Sequence, residues 1–130
     1  MEDKRRITQM HNSEIYAIAN ALSEAFNDSD LYIPAKINFF IQKNRSYFNK
    51  LKEDIEKVRA EIITRYGEYV AEEDKYIFST ENTAIANKEL TDLFNISQSI
   101  EYFLISLSSL ESLSFTSKQM QAILFMIEEE

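Results

Sequence analysis

Cysteine is absent from the 130-residue chain, and glycine, proline and histidine each occur once. Without cysteine there is no disulfide framework, no thiolate nucleophile and no zinc–thiolate site, a composition that suits a reducing compartment. The lone glycine, Gly67, cannot build a glycine-rich phosphate loop. So few turn-forming residues favour long helices over a many-stranded sandwich. No apolar run approaches the roughly 18 residues of a membrane span. The first ten residues, "MEDKRRITQM", are charged and lack the apolar stretch of a signal peptide. A cytoplasmic chain with no membrane partner is the expectation.

What is present supports one folded domain over residues 1–130. Hydrophobic residues make up 45% and aromatics 12%, enough for a core without metals or disulfides. The net charge of −8 is unevenly spread. Residues 31–65 hold eight basic and four acidic side chains, a local +4, whereas residues 76–130 hold two basic and eight acidic, a local −6. Nucleic acid is therefore an unfavoured partner, because the molecule as a whole repels it.

Residues 13–26 carry Ile15, Ile18, Leu22 and Phe26 at helical spacing, with Ser13 as the expected N-cap and Glu14 at the positive end of the dipole. The polar cluster "NDSD" at 27–30 predicts a turn, and Pro34 suits the first turn of a new helix. From there the helical pattern runs to about Tyr69, and Ile41, Phe48, Leu51, Ile55, Val58, Ile62 and Tyr69 form the a/d seam of a heptad pattern. Basic Arg45, Lys52 and Arg59 fall at e, acidic Asp54, Glu61 and Glu68 at g, and Asn44 and Arg65 interrupt the seam at d. A continuous helix here runs about 50 Å at ~1.5 Å per residue.

"KYIFS" (75–79) and "SIEYFLISL" (99–107) are expected strands, paired with each other across a helix over 80–95 capped by Ser79 or Thr80. The last helix is signed by a Thr116/Gln119 capping box and a Phe115–Met120 staple, with Met120, Ile123, Leu124 and Ile127 inward. The expected fold is mainly α (α+β): a helical domain with one long helix and a small two-stranded antiparallel sheet.

Chemistry-bearing residues are few. The run Glu72-Glu73-Asp74 lacks the alternating ligands and glycine bend of a calcium loop, and reads as a solvated boundary after Gly67. His11 has no nucleophile or orienting partner implied by its position, and "SLSSLES" lacks nucleophile-elbow glycines. No residue is expected to be catalytic, cofactor-binding or metal-ligating. The seam residues Phe48, Leu51, Lys52, Asp54, Ile55, Val58, Arg59 and Ile62 have two uses. They can pack inside the domain against helices 13–26 and 117–127, or pair two chains as a homodimer in which Asp54 at g meets Arg59 at e.

The succession "IPAKINFFIQKN", "IEKVRAEIITRYGE", "ANKELTDLFN", "IEYFLISLSSLESL" and "FTSKQMQAILFMIEEE" resembles a family of small proteins of unknown function encoded by phages and prophages of Gram-positive bacteria. The resemblance runs from about Ser13 to Glu130. It implies a phage or prophage origin and the host cell cytoplasm, and it carries over no catalytic residue. Together with the charge pattern it leads to the expectation of a non-enzymatic protein that binds another protein, of the host or of the phage. One version inhibits a host nucleic-acid-handling or defence protein through Glu72, Glu73, Asp74, Glu81, Glu89 and Asp92, since an anionic surface mimics phosphate charge. A second is a virion (tail) assembly or structural accessory protein, and a third, minor one is an enzyme of unrecognised type.

Overall fold

A computed structural model describes residues 4–26 and 32–128. In chain order the elements are β1 (Arg5–His11), α1 (Asn12–Ala25), α2 (Ala35–Tyr66), β2 (Glu68–Val70), β3 (Lys75–Ile77) and α3 (Thr80–Phe94). They are followed by β4 (Ser97–Phe103), β5 (Ile105–Ser106), α4 (Ser117–Ile123) and β6 (Ile127–Glu128), with 3₁₀ turns at Leu107–Leu110 and Leu124–Met126. The turn expected at 27–30 lies outside the described residues.

The mainly helical, α+β character follows from this order, with the 32-residue α2 as its spine. Helix α1 lies antiparallel on the middle of α2. Its Tyr16 hydroxyl donates to Glu56, its Asn20 Oδ1 accepts from Lys52 Nζ (2.6 Å), and its Ser23 Oγ donates to Asn49 Oδ1 (3.1 Å). Between these polar ties Ile15, Ala19 and Leu22 are buried against Phe48, Ile55 and Ile41 in a single core cluster. Each large apolar side chain sealed in this way stabilises the fold by roughly 1.5–3 kcal/mol. Helix α3 lies on the C-terminal part of α2, where Asn82 Nδ2 donates to the Tyr66 carbonyl (3.1 Å) and satisfies one of the helix's last acceptors. Helix α4 closes the other side, Gln119 Nε2 donating to the Ala25 carbonyl at the end of α1 (3.3 Å).

Three features of the seam differ from the heptad expectation. The helix ends at Tyr66, so Tyr69 lies in β2 and is exposed. Val58 is 41% exposed, while Phe48, Ile55 and Ile62 are buried within the chain itself and Leu51 is half-buried against the same core. The proposed interchain seam is thus largely covered by the chain's own α1 and core, and Lys52 and Arg59 are engaged at home, by Asn20 (2.6 Å) and Glu56 (3.9 Å). Asn44, which breaks the apolar pattern, is 1% exposed and clamps β4: its Oδ1 accepts from Phe103 N–H (2.9 Å) and its Nδ2 donates to Phe103 C=O (3.0 Å).

Among the described residues the strands form three two-stranded sheets rather than one, and the expected pairing does not occur. β4 pairs antiparallel with β1, from Arg5↔Phe103 to His11↔Ser97, and β3 pairs antiparallel with β2. β5 and β6 form a short parallel pair. Strand β1 escapes a sequence reading because two of its three core-facing positions are Arg6 and Thr8, with only Met10 buried. The cap of α1 also shifts from Ser13 to His11, whose backbone N–H donates to Glu14 Oε1 (3.2 Å).

The end of the chain follows its cap as expected. Thr116 N–H donates to Gln119 Oε1 (2.9 Å) and Gln119 N–H to Thr116 Oγ1 (3.1 Å). The helix gives way to the 3₁₀ turn after Ile123, and this changes the angular phase of the following residues. Leu124 therefore points outward and Met126 is buried in its place.

Candidate functional site

The acidic surface is built from residues 68–96, and its geometry starts at Gly67. Gly67 N–H closes α2 on the Ile63 carbonyl (2.8 Å), and its backbone is extended, not left-handed. Glycine is required by contact: a Cβ here would sit 2.8 Å from the Ile63 oxygen and 2.9 Å from Phe78 Cζ. The chain then forms the β2–β3 hairpin, so Glu72, Glu73 and Asp74 make a tight turn where the sequence suggested a helix-to-strand loop.

The turn is held by Glu73 N–H to Val70 C=O (3.2 Å) and Asp74 N–H to Ala71 C=O (3.3 Å), with Asp74 at φ 49°. Asp tolerates this left-handed conformation better than most residues. Its carboxylate accepts the Tyr69 hydroxyl (2.5 Å), and Glu73 sits 3.7 Å from Lys75 Nζ. That hydrogen bond holds the Tyr69 phenol above its ordinary pKa, because the neutral form is the donor. Asp74 is therefore a turn-holding residue, whereas Glu72 projects into solvent. The Tyr69 and Tyr76 rings meet across the strands at a tilt of 56°, their centroids 5.3 Å apart, and both are exposed.

Helix α3 starts at Ser79, whose Oγ accepts from Asn82 N–H (3.1 Å). Glu81, Ile85, Glu89 and Asp92 recur at helical spacing along one face. Glu81 and Asp92 are exposed and Asp92 is paired with Lys88 (3.1 Å), but Glu89 is half-buried. Glu89 borders a groove between α2 and α3 with Val58, Glu61, Ile62 and Arg65, and its Oε2 is shielded from solvent with no hydrogen-bond partner among the described residues. The six acids expected to act together thus divide into two groups, one on the hairpin turn and one on α3.

Other candidate residues are placed differently. His11 Nδ1 lies 3.3 Å from Glu14 Oε1, both exposed, and the contacts from His11 hold the Glu14 carboxyl below its ordinary range. The serines of "SLSSLES" bond one another, Ser106 Oγ to Ser109 Oγ at 2.6 Å, beside a cleft lined by Phe40 and Leu104. Among the described residues no group of three or more His, Cys, Asp or Glu gathers to hold a metal ion, and no helix is long and apolar enough to cross a membrane. Compared with protein families, curated proteins and solved structures, the chain finds no match.

Sequence reasoning missed the aromatic and apolar members of this side. The sequence places Tyr69 on the helical seam and gives the exposed Tyr76, Ile77, Ile85 and Ile96 no surface role. Their exposure depends on which element covers them, which no local pattern encodes.

Proposed function

We propose that the chain is a non-enzymatic phage or prophage protein that acts in the host cytoplasm by binding another protein. On this reading its acidic side occupies a basic, nucleic-acid-handling surface of that partner. The reading rests on one observation. Residues 68–96 hold seven acidic and two basic side chains, a local −5, and both lysines are already engaged within the same region, Lys75 by Glu73 and Lys88 by Asp92. The field that remains is anionic, and exposed tyrosines sit beside it, the residue type enriched in protein interfaces. A second reading, an accessory of virion assembly, draws on the strand edge considered below, since assembly requires defined self-association.

The test is capture from a host lysate with the wild-type chain and with a chain carrying Glu72→Gln, Glu73→Gln, Glu81→Gln, Glu89→Gln and Asp92→Asn. Asp74 is kept because it holds the turn. The neutralised chain should lose the captured protein while its circular dichroism and melting stay close to wild type. Duplex DNA should displace the wild-type chain from that protein, and salt should weaken the contact, because exposed charges are screened beyond about 10 Å at 0.1 M. Undiminished capture by the neutralised chain removes the charge-mimicry reading.

A further inference from the structure

Among the described residues the β1–β4 sheet has one closed edge and one open edge. On the β4 side, Asn44 bonds both backbone groups of Phe103, and Glu101 N–H donates to the Tyr47 hydroxyl (3.4 Å). Helix α2 thereby does with side chains what a further strand would do with its backbone. On the β1 side the phase of the ladder is set by its two ends. Lys4 C=O accepts from Leu104 N–H (2.8 Å) and Asn12 N–H donates to Ile96 C=O (2.9 Å), in register with the pairs between them. In an antiparallel pair alternate residues bond the partner strand, so Arg6, Thr8 and Met10 turn their backbone groups towards β4. Arg5, Ile7 and Gln9 turn theirs outward, where they meet no hydrogen-bond partner among the described residues.

An exposed strand of seven residues without proline or bulge is a template for another strand, and folded proteins ordinarily blunt such an edge. We infer that the free edge of β1 pairs antiparallel with β1 of a second copy of this chain, centred on Ile7, to join two sheets into one of four strands. The outward-facing residues have to meet each other, and this centre gives Ile7 opposite Ile7 and Arg5 opposite Gln9, about six backbone hydrogen bonds in all. Moving the centre to Arg6 sets two guanidinium groups directly against each other, which opposes pairing. Moving it to Thr8 places Ile7 against Gln9 and brings in His11, whose N–H is already given to Glu14.

Charge agrees with the Ile7 centre. Lys4 is paired with Glu128 (2.8 Å) and Arg5 with Glu101 (3.4 Å), so two of the three bases at the start of the strand are neutralised within each copy. The third, Arg6, comes to face Thr8 of the other copy. Ile7 itself is 69% exposed in the single chain and is covered by its counterpart in the pair.

Sedimentation of the full chain over a range of concentrations tests this. The expected mass is twice the 15.2 kDa of one chain. Ile7→Pro removes an outward N–H without touching a β1–β4 bond, and Ile7→Lys opposes two ammonium groups at the centre. Both variants should sediment as monomers with unchanged circular dichroism. A wild-type chain that stays monomeric into the millimolar range overturns the inference and leaves the edge to a strand from a different protein. A dimer that persists in both folded variants also overturns it, and places the contact elsewhere.

Discussion

Two antiparallel strand pairs of this molecule share a hydrogen-bonding scheme and little else. In β1–β4 the core face carries Met10, Ile100 and Tyr102, all buried, and Tyr102 and Phe48 both pack on the Phe125 ring (5.1 and 5.3 Å). In β2–β3 five of the six strand residues are exposed, and the pair is held by its turn, by the Tyr69–Tyr76 contact and by Phe78 lying over Gly67. Backbone ladders replace bonds to water and contribute little net stability, so burial separates the two. A hairpin without a buried face is marginal by itself. The first pair therefore belongs to the unit that unfolds globally. The second belongs to the low-stability end of the molecule, from which binding surfaces are commonly drawn.

The largest effect expected from breaking this comparison lies in the buried pair. Ile100→Ala leaves a cavity in a fully buried site and should cost about 2–5 kcal/mol, seen as a lower midpoint in a single cooperative denaturation curve. A cost below 1 kcal/mol would mean that β4 is not part of the global core.

In the exposed pair the matching experiment is Asp74→Ala, which places an ordinary side chain at φ 49° and removes the acceptor of the Tyr69 hydroxyl. The penalty for the left-handed conformation is about 1–2 kcal/mol. It should appear as faster amide exchange in residues 68–77 with an unchanged global midpoint. Asp74→Gly should restore much of the protection, since glycine adopts this conformation freely.

The smallest effect is set by pH. The Tyr69 pKa is raised in the folded chain because its protonated hydroxyl donates to Asp74. That contribution is fully present below the unfolded value of about 10 and is lost as pH rises through the folded value. On alkaline titration the Ile77 methyl resonances of β3 should shift as the hairpin loosens, while the Ile100 methyl signals stay fixed. Simultaneous movement of both would join the two sheets into one cooperative unit.

The helices among the described residues were legible because each carries its own period, and two of them also carry the cap that the sequence announces. Thr116 with Gln119, and Ser79 before α3, announce helix starts from local chemistry alone. The strand pairings were not legible. β1 offers Arg6, Thr8 and Met10 to its covered side, an alternation too polar to read as a strand. Asn44 read as a flaw in an apolar seam, and its purpose exists only once Phe103 lies beside it. The acidic residues of the candidate site were visible, but the division of labour within them was not. Asp74 is set apart from Glu72 by a backbone angle and by a tyrosine five residues earlier.

The register of β1 has a consequence for how the chain is made. Arg5 pairs with Phe103, 98 residues later (103 − 5). Closing so long a loop is entropically costly, and contacts between distant residues slow folding. At synthesis rates of about 5–20 residues per second, β1 waits about 5–20 s after its own translation before β4 exists. Throughout that interval both of its edges are free. The helices α1 and α2 can meet during the wait, which gives β4 a prepared surface carrying Asn44 when it arrives. The ladder that waits longest is then the one that fixes β1.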